Sequence, residues 1–294
     1  MKPLPPPGDP RRLLAEAGRA AKKSWGQNFL CDQSILEAIA DAAAGDRPEW
    51  LVELGAGLGA LTYHLIKLAG HVVAVERDRD LVPVLRKKLD WAQNLEIVEA
   101  NALTFDYVEL AERVHSRLHV AGNLPYQLAS RIMVSLAGTP ASVVRAVFLV
   151  QREVAERICA PAGDTNYSLL SVLIQRAFEP HVVRRVSATA FFPRPRVESA
   201  LLSLQTRPTL LDASEDRLVV AAARAAFSAR RKILRNSLAG GLKINPAGAE
   251  KALVRAEIDP GVRAETLGVA EFARLGRALD ELGLLTGSEP DPPL

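Results

Sequence analysis

Leu51-Val-Glu-Leu-Gly-Ala-Gly-Leu-Gly59 decides the fold. Four residues ending in Leu54 read as a short buried strand. A glycine-rich turn follows, and an apolar helical stretch continues to about Leu68. Working outward, the same rhythm repeats. His71–Glu76 is a second strand, followed by a helix over Asp80–Leu89. Leu95–Glu99 is a third strand, and Leu118–Ala121 a fourth, closing on Asn123-Leu-Pro-Tyr126. A helix follows over Ala129–Leu136. Ala146–Val150 is a fifth strand, and Arg152–Cys159 its helix. Apolar strands alternating with helices imply an α/β fold with a mostly parallel sheet covered on both faces.

The rhythm changes after residue 160. Tyr167–Phe178 reads as a helix. Val182–Ser187 and Ala200–Gln205 read as two strands without a helix between them, an antiparallel addition to the sheet. Beyond Pro208 only helical patterns recur, over Arg217–Phe227, Ala229–Leu238, Ala247–Ala256 and Val269–Leu282. Gly240-Gly241 reads as a helix stop and Asn245-Pro246 as a helix start. On the amino-terminal side, residues 1–10 are Pro-rich. Residues 11–22 are helical in pattern. Lys22–Cys31 is a loop of basic, polar and aromatic residues, and Asp32 can cap a helix over Ile35–Ala44. These shifts predict an extension over 1–21, a main domain over 22–207 and a helical domain over 208–294.

Composition narrows the function classes. The 294 residues are 48% hydrophobic and 24% charged, the balance of an ordinary globular protein. Two cysteines 128 positions apart make no disulfide framework, which suits a reducing, cytoplasmic setting. No apolar run reaches membrane-spanning length, and the first ten residues lack the apolar core of a signal peptide. The five histidines show no ligand spacing, so no metal is expected. Nothing demands more than a monomer. The net charge of +3 is unevenly spread: −1 over residues 1–180, +7 over 181–235 and −3 over 236–294. A basic segment of that size points to an anionic partner, nucleic acid above all.

Four groups of residues carry candidate chemistry on the sheet. Gly55, Gly57 and Gly59 sit where a ligand can approach the backbone at a strand-to-helix turn. The E-x-G-x-G-x-G spacing is that of S-adenosylmethionine enzymes. A dinucleotide motif would place its third small residue at Ala60 instead. Glu76 ends the second strand, 21 positions after Gly55, where a carboxylate can accept from both ribose hydroxyls. Asn101 follows the third strand at the same sheet edge. Its side-chain oxygen can accept from an adenine amine. Asn123-Leu124-Pro125-Tyr126 is the sharpest motif. An aromatic amine is a poor nucleophile because its lone pair is delocalised into the ring. The Asn123 side-chain oxygen and the Leu124 carbonyl can accept its two N–H bonds and favour the pyramidal nitrogen. Pro125 stiffens the turn, and Tyr126 can stack on the base.

Two further stretches suit a polyanion. In Phe191-Phe-Pro-Arg-Pro-Arg-Val197, Arg194 and Arg196 suit phosphates, and Phe191 is the favoured second stacking ring. In Phe227–Leu238, Arg230, Arg231, Lys232 and Arg235 form a basic run within a stretch, Arg217–Ala249, that contains no acid. Helical spacing puts Arg231 and Arg235 on one face, suited to phosphate contact.

Together, Gly26-Gln-Asn-Phe-Leu30, Glu53–Gly59, Glu76, Asn123–Tyr126, Phe191–Val197 and Phe227–Leu238 resemble the ribosomal RNA adenine N6,N6-dimethyltransferase family, its bacterial 16S members most closely. The resemblance runs from about Lys22 to Leu282. It implies a class I, Rossmann-like methyltransferase domain with a seven-stranded sheet and a small all-α C-terminal domain. It implies S-adenosylmethionine as methyl donor, S-adenosylhomocysteine as product and 16S rRNA of the 30S subunit or its precursor as partner. The substrate would be two adjacent adenosines in the 3′-terminal hairpin loop. By the same resemblance, Asn28 and Leu30 join Gly55, Glu76, Asn101 and Asn123 around the cofactor. The family usually has Asp where this chain has Asn101. Asn keeps an acceptor, loses the charge and adds a donor, which weakens the cofactor contact without abolishing it. A 23S rRNA adenine methyltransferase, a non-catalytic small-subunit assembly factor and a nicotinamide-dependent oxidoreductase remain alternatives. The last explains Gly55, Gly57 and Glu76 but not Asn123–Tyr126 or the basic segment.

Overall fold

Strand residues in the computed structural model follow the sequence pattern closely. The structure describes residues 8–22 and 25–285. Among the described residues nine strands form: β1 (Phe29–Leu30), β2 (Trp50–Leu54), β3 (His71–Glu76), β4 (Leu95–Glu99), β5 (Leu118–Asn123), β6 (Val143–Gln151), β7 (Phe178–Val186), β8 (Phe191–Phe192) and β9 (Ser199–Thr206). Seven of them make one sheet in the order β4-β3-β2-β5-β6-β9-β7, and β1 pairs antiparallel with β8 in a separate ribbon. β4, β3, β2, β5 and β6 run parallel, and β9 runs antiparallel to β6.

The chain divides into two compact units, residues 1–155 with 180–206 and residues 156–179 with 207–294. In the first unit, Leu51, Val52, Leu54 and Val72–Val75 are buried, as strands covered on both faces require. Strand order reverses between β3 and β5 on either side of β2. The carboxyl ends of these three strands therefore open on one crevice, the usual ligand position in such sheets.

The second unit has its own core, in which Leu234, Leu238, Leu253, Phe272 and Leu279 are buried. Its helices start on polar side chains. Asp212 accepts from the Ser214 and Glu215 amides ahead of the helix Ala213–Ala226, and Asn245 accepts from the Gly248 amide ahead of Pro246–Arg255.

Two sequence expectations in this unit need correction. The expected helix over Ala229–Leu238 begins only at Leu234. The Leu234 and Arg235 amides donate to the Val262 and Pro260 carbonyls, and residues 228–232 form a turn. Arg231 and Arg235 therefore share no helical face. Gly240 and Gly241 do not stop a helix either; both lie within Leu234–Leu242. A side chain at Gly241 would come within 2.5 Å of the Ala225 carbonyl oxygen, so this glycine serves close helix packing. Among the described residues no helix is long and apolar enough to cross a membrane, and no cluster of His, Cys, Asp and Glu could hold a metal ion.

Candidate active site

The crevice at the carboxyl ends of β2, β3 and β5 is a cleft of about 270 Å³. Its floor follows from the turn after β2. Gly55 and Gly57 have φ of +74° and +55°, a region that favours glycine. The Gly55 amide donates to the Val75 carbonyl at 2.8 Å, and the Gly57 amide donates to Glu76 Oε2 at 2.7 Å. Gly59, also at positive φ, plays another part. A Cβ there would lie 2.6 Å from Leu85, so it lets the neighbouring helix pack and does not line the cleft.

Glu76 is 8% exposed, and its Oε1 accepts from the Asp78 amide at 2.7 Å. Two backbone donors thus fix the carboxylate plane at the cleft wall. Burial raises the Glu76 pKa, and those same donors oppose the shift. Sequence reasoning missed a second carboxyl group. Glu53 lines the same cleft, is 1% exposed, and its Oε2 has no hydrogen-bond partner among the described residues. Burial pushes the Glu53 carboxyl up to about 8, so at neutral pH it is a neutral acid. Its place in the quoted motif was visible in the sequence; its orphaned oxygen was not.

Asn123, Leu124, Pro125 and Tyr126 all line the cleft. Asn123 closes β5, and Pro125 has the extended conformation that precedes the helix Tyr126–Leu136. The Asn123 side-chain amide donates to the Asn28 carbonyl at 2.8 Å. Its nitrogen is therefore committed, and Oδ1 is the end left to accept. The Tyr126 hydroxyl meets the Ser199 hydroxyl at 2.6 Å, which fixes the ring. Ser199, at the start of β9, is a second residue that sequence reasoning missed.

The expected cofactor contacts Asn28, Leu30, Gly55, Gly57, Glu76 and Asn101 also line the cleft. The Asn101 side-chain oxygen already accepts from the Leu103 amide at 3.1 Å. It thus shapes its turn as well as facing the cleft, with one lone pair remaining. Asp78 ties the amino-terminal segment to this wall. It is 2% exposed and accepts from Lys22 Nζ at 2.6 Å and Gln27 Nε2 at 2.7 Å.

Phe191 needs correction. Its ring is 4% exposed and belongs to the core cluster that includes Leu30, Val186 and Leu201, and it is absent from the cleft lining. In this conformation it presents no face to a base. The half-buried ring is Phe192, which packs with Phe29 against Leu14, Leu58 and Leu81.

The predicted basic residues lie outside the cleft. Arg194 and Arg196 are exposed in the loop before β9. Arg230, Arg231 and Lys232 are exposed in the turn of the second unit. Arg235 is different, since it pairs with Glu250 at 3.1 Å. Glu250 is the first acid after the acid-free stretch.

The donor set fits a nucleoside cofactor with a sulfonium centre. Glu76 offers paired acceptors for a diol. Gly57 leaves room a side chain would fill, with Phe29 only 3.4 Å from a Cβ there. The unpartnered Glu53 oxygen adds a buried polar atom on a residue of the cleft lining.

Comparison with known proteins points to one family. A family model described as ribosomal RNA adenine dimethylase matches residues 18–281. The ribosomal RNA small subunit methyltransferase A of Anaeromyxobacter dehalogenans is 46% identical over 278 residues, 92% of this chain and 97% of that protein. Its counterpart from Myxococcus xanthus is 42% identical over 283 residues, 93% and 96% of the two chains. Among solved structures, the 23S rRNA methyltransferase ErmE superposes with a TM-score of 0.65 at 28% identity, covering 86% of this chain and 99% of that one. A dimethyladenosine transferase from Plasmodium falciparum gives 0.71 at 23% identity, covering 87% and 98%, a likeness of fold.

Proposed function

Because the chain belongs to the ribosomal RNA adenine dimethylase family, we infer that it is an S-adenosylmethionine-dependent enzyme that dimethylates adenosine N6 in 16S rRNA. The single observation that carries the reading is the placement of Asn123–Tyr126. The motif sits on the wall of the cleft that also holds Glu76, with Asn123 oriented by Asn28. The 23S alternative is weaker. Relatives bearing the small-subunit name are 36% to 46% identical over more than nine-tenths of the chain, whereas the 23S enzyme ErmE is 28% identical.

The finer assignments form part of the same proposal. The substrate is a pair of adjacent adenosines in the 3′-terminal hairpin loop, presented on the small subunit or its precursor. Glu76 accepts from the cofactor ribose, while Asn28, Leu30, Gly55, Gly57 and Asn101 border the rest of it. When bound, the cofactor supplies a methyl group on a sulfonium centre, an electrophile. Tyr126 stacks on the extruded adenine. Asn123 Oδ1 and the Leu124 carbonyl accept its two N6–H bonds, so the nitrogen lone pair leaves the ring system and becomes nucleophilic. The proton is lost after the nitrogen has become cationic, so no strong base is required. Orientation and exclusion of water by the apolar walls supply most of the rate. Arg194, Arg196, Arg230, Arg231 and Lys232 contact phosphates. Arg235 does so only by sharing its charge with Glu250.

The test is transfer of labelled methyl from S-adenosylmethionine to small subunits isolated from cells lacking this modification. Label in 16S rRNA with wild-type protein, and none with Asn123→Ala, supports the reading. No label in 16S rRNA with wild-type protein, while large subunits assayed in parallel take it up or also stay unlabelled, overturns it.

A further inference from the structure

Trp25 is 41% exposed, and the other exposed large apolar side chains among the described residues are all valines. Its position is held by a tight local structure. The Trp25 amide donates to the Lys22 carbonyl at 2.9 Å, the Lys22 amide to Gln27 Oε1 at 2.8 Å, and Gln27 Nε2 to Asp78. These bonds hold the backbone beneath the ring, and both Trp25 and Arg77 line the cleft. The Arg77 guanidinium carbon lies 5.1 Å from the ring centroid, and Lys22 Nζ lies 4.7 Å from it, both within cation–π range.

The cations around this ring differ in their partners. Lys22 pairs with Asp78 and Asp80, and Arg19 pairs with Asp80 at 2.9 Å. Arg79 pairs with Glu99 at 2.8 Å. Arg77 makes no ion pair among the described residues, so of these four cations its guanidinium alone lacks an acidic partner, and it lies over a ring that is 41% exposed. Two anions of the proposed reaction could take this cation, the cofactor's own carboxylate and an RNA phosphodiester, and the cofactor Kd separates them. The exposed aromatic ring beside it favours the phosphodiester.

We propose that Trp25 and Arg77 form a platform for the single-stranded RNA nucleotide next to the adenosine being modified, its base stacked on Trp25 and its phosphate held by Arg77. An aromatic ring beside a cation is the recurrent device for holding unpaired nucleotides. The inference rests on the proposed RNA methylation and adds a rim site to the cleft.

The test uses the full-length protein and particles lacking the modification. Trp25→Ala and Arg77→Ala each raise the KM for particles about tenfold, while Trp25→Phe stays within about threefold. Maximal turnover and the cofactor Kd stay within about twofold. A second readout needs no turnover. The chain has three tryptophans, and an adenine-rich RNA hexamer quenches the fluorescence of wild-type protein but not of Trp25→Phe. An unchanged particle KM in both alanine variants overturns the proposal. So does a raised cofactor Kd with unchanged particle KM, which makes Trp25 a wall of the cofactor site. If wild-type protein fails to methylate particles, the parent reading falls, and the quenching result alone decides the platform.

Discussion

Asn123 and Asn28 lie 95 positions apart in the chain, yet the Asn123 side-chain amide donates to the Asn28 carbonyl at 2.8 Å. This bond sets which end of the Asn123 amide faces the cleft. It also makes the amino-terminal segment part of the catalytic wall.

That bond distinguishes two substitutions. Asn123→Ala removes the acceptor for the target amine. Asn123→Asp keeps an acceptor but loses the donor to Asn28 and sets a carboxylate against a carbonyl. Both lower kcat by at least about a hundredfold, a loss of transition-state stabilisation near 2.7 kcal/mol. RNA affinity measured by filter binding stays near wild type. Near-normal turnover by Asn123→Asp would remove the orienting role of Asn28.

Glu76 accepts from the Gly57 and Asp78 amides at once. In Glu76→Gln one of those donors meets an NH₂ group instead of an oxygen, so the amide cannot keep the carboxylate's geometry. Calorimetric titration with S-adenosylhomocysteine is expected to show affinity lower by roughly 10- to 100-fold, the range for a lost hydrogen bond to a charged group. Wild-type affinity in the variant excludes Glu76 as the ribose acceptor.

Glu53 makes stability pH-dependent. Its ordinary value is 4.5, and burial raises it to about 8 in the folded chain. Between those values the unfolded chain has released a proton that the folded chain keeps. Stability contributed by this group is therefore full below pH 4.5 and is lost as pH rises through about 8. Burial of Glu76 acts in the same direction. His64 and His119 are lowered from 6.5, so they act below that pH. Thermal midpoints of cofactor-free protein should fall from pH 6.5 to 8, and Glu53→Gln should flatten that fall. An equal slope in both proteins counts against the buried neutral acid.

Gly240 and Gly241 give opposite outcomes despite being neighbours in one helix. A Cβ at Gly240 meets nothing within 4 Å, so Gly240→Ala stabilises by up to about 1 kcal/mol through helix propensity. A Cβ at Gly241 meets Ala225 backbone atoms at 2.5 to 2.9 Å, so Gly241→Ala destabilises by roughly 1–3 kcal/mol. Chemical denaturation of the two variants measures both. A stabilised Gly241→Ala would mean that the two helices pack less closely than described.

The sequence showed most of the sheet and the first wall of the cleft, because both are local. The strand-turn-helix around Gly55 and the acid at Glu76 each announce themselves within about 20 residues. What remained hidden depends on long-range contact. Asn28 meets Asn123, Ser199 meets Tyr126, and Glu250 meets Arg235, none at a spacing with any period. The turn at residues 228–232 reads as helix because its residues are good helix formers. It ends as a turn because Val262 and Pro260 take the amides that would otherwise begin the helix one turn earlier. Phe191 and Phe192 are indistinguishable by residue type, and the alternation of a short strand buries the first in the core.

Nucleoside mapping tests the central claim most directly. Small subunits lacking the modification are incubated with the protein and S-adenosylmethionine, and the digested 16S rRNA is read by mass spectrometry. The account predicts N6,N6-dimethyladenosine at two adjacent positions of the 3′-terminal hairpin loop, and none with Asn123→Ala. Methylation at another position or another atom of adenine, or an unmodified hairpin with the protein bound to the particle, would contradict it.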